Sequence, residues 1–100
     1  MISKPACMRY NISATVQFEK DVKLSKKRGL DLDLLFQVVD KLALDEPLPA
    51  KLKDHALKGD FAGKRECHIM PNWLLIYKKE DTLQLLKLVR TGTHSDLFGK

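Results

Sequence analysis

Residues 73–77, Trp-Leu-Leu-Ile-Tyr, constrain this chain more than any other stretch. These five residues are the longest unbroken apolar run, far below the ~18 needed to span a bilayer. Pro71-Asn72 in front of them reads as a turn. A short segment that is apolar on both faces belongs in the middle of a sheet. Partners for it lie on either side in sequence. Residues 64–70 (KRECHIM) form one strand, and residues 83–91 (LQLLKLVRT), after a turn at Glu80-Asp81, form the other.

The front half has a different period. Residues 9–14 (RYNISA) alternate and suit a short first strand. Phe18 and Val22 stand four apart in a helix over 15–28, with Gly29 at its C-terminal cap. Leu35, Val38, Val39 and Leu42 follow the i, i+3, i+4, i+7 rule in a second helix over 31–44, and Asp31 or Asp33 caps its start. Pro47 and Pro49 stop that helix. Residues 50–62 read as a polar loop, and the tail after 92 holds a single turn around 95–98. The order is β-α-α-β-β-β. An α+β fold follows, with two N-terminal helices packed on one face of a small, mostly antiparallel sheet. Residues 9–100 form one domain, preceded by a flexible extension over residues 1–8.

At 100 residues the chain is too short for a two-domain cofactor enzyme. Its 44% apolar content fills one core. Eighteen Lys plus Arg against 13 Asp plus Glu give a charge of +5, which favours an anionic partner only weakly. There is no apolar signal core at the N-terminus, and Cys7 and Cys67 form no Cys-x-x-Cys pair. Reduced cysteines and a cytoplasmic protein without a membrane segment are expected.

All three histidines lie in the second half: His55 in the loop, His68 on a strand, His94 just past the last strand. Each alone reads as an ordinary surface or hydrogen-bonded residue. All three fall at or beside strand ends that antiparallel hairpins can gather, and histidines in one cleft exchange protons near neutrality. Separations of 13 and 26 residues are not local metal-ligand spacings, so a zinc site would arise only through tertiary structure, and no metal or cofactor is expected. Arg65 and Arg90 suit forked phosphate binding, or an ordinary salt bridge with Glu66 or Asp96. Trp73 and Phe98 suit base stacking, with core packing the competing fate of Trp73. Lys20, Lys23 and Lys27 share a helix face, either a footprint for a nucleic-acid backbone or a solvated surface.

There is no Gly-rich phosphate loop, Gly-x-Ser-x-Gly or His-Glu-x-x-His. A hydrolase with its own nucleophile therefore has no support. RNA cleavage escapes that requirement, because the 2′-hydroxyl is the nucleophile. The protein then needs a base, an acid and positive charge for the phosphorane.

Four ordered blocks carry a resemblance: Lys53-Asp54-His55-Ala56-Leu57, Arg65-Glu66-Cys67-His68, Pro71-Asn72-Trp73-Leu74-Leu75-Ile76-Tyr77 and Arg90-Thr91-Gly92-Thr93-His94-Ser95-Asp96-Leu97-Phe98. Together with Phe18-Glu19-Lys20-Asp21-Val22-Lys23, they resemble the YafQ-type toxins of the RelE/ParE superfamily over roughly residues 10–99. The resemblance implies a RelE-like fold and a ribosome-dependent mRNA endoribonuclease, the toxin of a type II toxin–antitoxin pair. It implies functional roles for His55, His68, Trp73, Arg90, His94 and Phe98. By resemblance His94 is the general acid, Arg90 stabilises the phosphorane, His55 and His68 bind phosphate or share base duty, and Phe98 holds the base or positions the mRNA. On this reading Arg65, with Arg90, is expected to face the scissile phosphate, and Lys20, Lys23 and Lys27 to meet the ribosomal RNA backbone. Many relatives place aspartate, a candidate base, where this chain has Asn72. An amide binds a hydroxyl but does not take its proton, so either His68 or His55 is the base or the enzyme is attenuated. The implied partner of the free, monomeric toxin is an acidic, DinJ-like antitoxin with a DNA-binding dimerisation domain. Two rival readings are a ribosome or RNA binder that does not cut, and a ParE-like gyrase inhibitor.

Overall fold

Residues 9–99 are described in a computed structural model of the chain, so the expected extension over 1–8, with Cys7, lies outside the described residues. The elements are β1 (Asn11–Ala14), α1 (Val16–Lys27), α2 (Leu32–Ala43), β2 (His55–Ala56), β3 (Arg65–Met70), β4 (Trp73–Glu80), β5 (Leu85–Gly92) and α3 (His94–Phe98). Single 3-10 turns lie at Ala50–Leu52 and Gly59–Phe61. The sheet runs β1-β5-β4-β3-β2. β1 is parallel to β5, and the other pairs are antiparallel. The expected α+β arrangement is present, with one addition: residues 55–56, read as loop, form an edge strand through the pairs His55↔Glu66 and Ala56↔Arg65.

Residues 73–77 sit on the second of the three central strands and are buried throughout. Strand alternation sends them to two cores. Trp73, Leu75 and Tyr77 pack with Phe18, Leu35, Val38, Val39 and Leu42 of the helices. Leu74 and Ile76 pack on the other face with Leu97, Leu57, Phe61 and Val89. Leu74, Leu75 and Ile76 are fully buried, each contributing roughly 1.5–3 kcal/mol by that burial.

Both long helices are capped by their sequence. Thr15 Oγ1 accepts from Phe18 N, and the Asp31 carboxylate accepts from Asp33 N. After α1, Gly29 adopts φ +80° while Gly29 N donates to Lys26 O and Leu30 N to Ser25 O, which is a Schellman ending.

Two local features set the direction of the side chains at the end of β5. β1 pairs only as far as Leu88, so beyond it the outer edge of β5 is open to another partner. α1 takes that place: Thr15 N donates to Leu88 O, Thr15 Oγ1 to Val89 O, and Thr91 N donates to Asp21 Oδ2. The register of β5 against β4 also slips. Tyr77 lies opposite Leu88 but Ile76 lies opposite Arg90, leaving Val89 as the extra residue of a bulge. A bulge re-aims the side chains beyond it. Arg90 is thereby placed across from Ile76 on the second face, and Thr91 across from Leu75 on the helix face.

Candidate active site

The second face of the sheet carries a cluster of ionisable groups. Glu66 and His68 stand two apart on β3 and so share a face. The Glu66 side chain is only 5% exposed, and a carboxylate so buried needs partners. Glu66 Oε2 lies 3.3 Å from His68 Nε2 and 3.4 Å from His55 Nε2. His55 reaches it because β2 sets His55 directly opposite Glu66. The other His55 ring nitrogen, Nδ1, lies 2.7 Å from Lys53 O, a carbonyl turned by the left-handed backbone of Lys53 (φ +51°).

His94 arrives from the end of β5. It is the first residue of α3, whose capping box is complete: Asp96 N donates to Thr93 Oγ1, and Thr93 N donates to Asp96 Oδ2. The His94 ring meets the His68 ring edge-on at 5.7 Å between centroids. One ligand atom each from Glu66, His68 and His94 lies within 4.8 Å of the others. One turn along α3, the half-exposed Phe98 ring lies 6.2 Å from His94 and 5.6 Å from Phe61.

A second tie fixes α3 from outside. Arg28, at the C-terminal end of α1, holds Asp96 through Nη1–Oδ2 at 2.6 Å and Nη2–Oδ1 at 3.2 Å. That pair, followed by the Thr93 backbone bond, holds the Asp96 carboxyl well below the usual carboxylate range.

Arg90 is anchored to α1. Its Nε and Nη2 donate to Asp21 Oδ2 and Oδ1, both at 3.0 Å, a forked pair. The Asp21 hydrogen bond raises the guanidinium pKa further above its ordinary value. The Arg90 side chain is still 27% exposed.

Several expected site residues fall elsewhere. Trp73 is buried among the helix-side residues, and its indole N–H donates to Thr91 Oγ1 at 2.9 Å. Its stacking on a base is therefore corrected to core packing. Arg65 alternates with Glu66 and lies on the opposite face beside Tyr77, where its Nε donates to Asp54 Oδ1 at 3.2 Å. Arg65 is therefore corrected to a structural pair, since Asp54 also accepts from Tyr77 Oη at 2.7 Å. Asn72 is exposed in the β3–β4 turn. Lys20, Lys23 and Lys27 are exposed on the side of α1 away from buried Phe18, Asp21 and Ser25. Cys67 is a buried free thiol whose pKa burial pushes up to about 12.

Sequence reasoning missed Glu66 and Asp21 as site residues. The spacing Glu66-x-His68 on a strand was the available signal for the first. Asp21 carries no such signal, since its link to Arg90 spans 69 positions. Glu66, His68 and His94 are ligand types suited to zinc or copper, gathered by tertiary structure rather than by spacing.

Comparison with known proteins gives a consistent set of relatives. The family model described as bacterial toxin of type II toxin-antitoxin system, YafQ, matches residues 10–99. The mRNA interferase toxin YafQ of Escherichia coli K12 is 46% identical over 90 residues, covering 89% of this chain and 96% of that protein. In the crystal structure of the E. coli DinJ-YafQ toxin-antitoxin complex, a chain with 44% identity superposes with a TM-score of 0.83, covering 92% of this chain and 100% of that one. A metal-bound toxin from Helicobacter pylori is 46% identical with a TM-score of 0.84, covering 89% and 99%.

Proposed function

The chain belongs to the YafQ family of bacterial type II toxin–antitoxin toxins, and from that membership we propose that it is an mRNA endoribonuclease acting on the ribosome, with residues 9–100 as its single toxin domain. The observation that carries the reading is the convergence of Glu66, His68 and His94 within 4.8 Å on one face of the sheet. Acid–base chemistry needs a proton acceptor and a proton donor within reach of one phosphate, and this cluster offers both.

The reaction runs as a transfer within the RNA. The 2′-oxygen forms a bond to phosphorus while the bond from phosphorus to the 5′-oxygen breaks. The 2′-hydroxyl proton passes to His68, whose Nε2 contacts Glu66. His94, exposed at the start of α3, gives a proton to the departing 5′-oxygen. Arg90 meets the charge that grows on the phosphorane oxygens. His55 braces Glu66 from the other side and binds phosphate. Phe98 holds a base beside His94, and Asn72 meets the RNA from the exposed turn. Lys20, Lys23 and Lys27 contact the ribosomal RNA backbone.

The chemistry needs no metal, since the nucleophile comes from RNA and the charge from Arg90. A metal held by Glu66, His68 and His94 would occupy the lone pairs that carry protons. The toxin works in the cytoplasm, and no helix among the described residues is long and apolar enough to cross a membrane. Its partner is a DinJ-type antitoxin, acidic where this chain is basic, and the E. coli complex serves as a picture of its inhibited form.

Expression in a bacterial host tests the reading. Wild type is expected to arrest growth with new mRNA 5′ ends inside coding regions, and His94→Ala is expected to relieve both. Growth arrest by His94→Ala with intact mRNA would instead identify a ribosome blocker.

A further inference from the structure

Asp21 is 6% exposed, and its backbone and side chain are both engaged. Its carboxylate accepts from Arg90 Nε and Nη2, from Thr91 N at 3.2 Å and from Gln17 Nε2 at 3.1 Å. Ser25 Oγ donates to its carbonyl oxygen one turn further along α1. These bonds join α1 to the stretch of β5 just past the Val89 bulge, where β1 no longer covers the strand edge. An arginine has five N–H donors in a planar fork. Pairing through Nε and Nη2 fixes the plane of that fork and leaves the Nη1 end directed away from Asp21.

We propose that Asp21 is the positioning residue of Arg90, presetting the guanidinium so that its Nη1 end faces the scissile phosphate. The inference rests on the endoribonuclease reading above. A free arginine side chain loses rotamer freedom when it is fixed, and a group that is fixed before the reaction avoids that loss in the transition state. The forked pair with Asp21 supplies the fixing in the resting protein. The bulge and the pair act together, one turning Arg90 onto the second face and the other holding its plane. α1 thereby braces both ends of the reacting group: Arg90 through Asp21, and the helix of His94 through Arg28 and Asp96.

A double-mutant cycle on programmed ribosomes tests this. Asp21→Asn keeps the size of the side chain and removes its charge. In the wild-type background it is expected to lower kcat on the order of 10²-fold with little change in KM. In the Arg90→Ala background the same substitution is expected to change kcat by no more than about twofold, since residues acting as one unit are not additive. Arg90→Lys, which keeps the charge but loses the fork, is expected to behave like Asp21→Asn. Equal losses in both backgrounds, or no loss in either, would overturn the proposal, and thermal melting of each variant separates a folding defect from a positioning one. If the wild-type protein cleaves nothing, the endoribonuclease reading fails instead. The pairing is then read from the Arg90 Nε–H signal in NMR, expected to be protected from exchange in wild type and unprotected in Asp21→Asn.

Discussion

At the scale of single residues, the proposed acid–base pair of His68 and His94 depends on Glu66. Its buried carboxylate touches two imidazoles and lies within reach of a third. Glu66→Gln keeps the shape and removes the charge beside His68, so it is expected to lower cleavage by up to the roughly 10²–10⁴-fold that an acid–base group is worth, in a protein that still melts cooperatively. Asn72→Asp is expected to leave the rate within a few-fold, because the proposed acceptor, His68, sits on β3 rather than in the turn. A large gain from Asn72→Asp would show that the base belongs at position 72. Metal ions give an independent check on the same atoms. Chelator treatment is expected to leave cleavage unchanged, whereas added Zn²⁺ or Cu²⁺ is expected to inhibit it, with Glu66→Gln binding the metal more weakly by calorimetry. His68, His94 and Phe98 were legible as a group from their places at strand ends. Trp73 and Arg65 were not separable from them, since the side of a strand on which a residue falls depends on pairing: Trp73 bonds Thr91 and Arg65 bonds Asp54.

Among the elements, the five-residue helix α3 matters most, because it holds His94 and is far too short to be stable alone. Its capping box, Gly99 at φ +72° and the Arg28–Asp96 pair hold it in place. Thr93→Ala removes an N-cap and is expected to cost about 1 kcal/mol, read as roughly 4–8 °C in Tm for a domain of this size. Gly92→Ala is expected to loosen the same helix, because a Cβ there would lie 2.9 Å from Asp96 Oδ2 and 3.0 Å from Asp96 Cβ. The helix also carries a pH dependence. The folded pKa of Asp96 lies below its ordinary 3.8, so its contribution is full above that value and fades as pH falls below it. Acid titration is expected to destabilise wild type more steeply below about pH 4 than Asp96→Asn. The helices and β3 to β5 were readable because each carries a full period of apolar residues. β2 was not, since two residues have no period and its strand character comes only from pairing with β3. The bulge at Val89 was equally silent, because one extra residue looks like any other until the register is known.

For the molecule as a whole, the sheet has one face packed under the helices and a second that carries the cluster of ionisable groups. The helix-side core holds the sheet, while among the described residues the second face packs against Leu97 of α3 and against Leu57 and Phe61 between β2 and β3. The groups clustered there are the Glu66 carboxylate, the imidazoles of His55, His68 and His94, and an arginine held by Asp21. On the proposed mechanism the substrate therefore supplies its own 2′-hydroxyl. Charge is divided accordingly: Lys20, Lys23 and Lys27 lie on the outer side of α1, while Asp21 on its inner side holds Arg90. The most direct measurement is 5′-end mapping of an mRNA on programmed ribosomes, with the sugar at the cleavage site either ribose or 2′-deoxyribose. Cleavage is expected next to the ribose, leaving a 5′-hydroxyl on the downstream fragment, and none next to the 2′-deoxyribose. Cleavage of the 2′-deoxy message at an undiminished rate would contradict the mechanism.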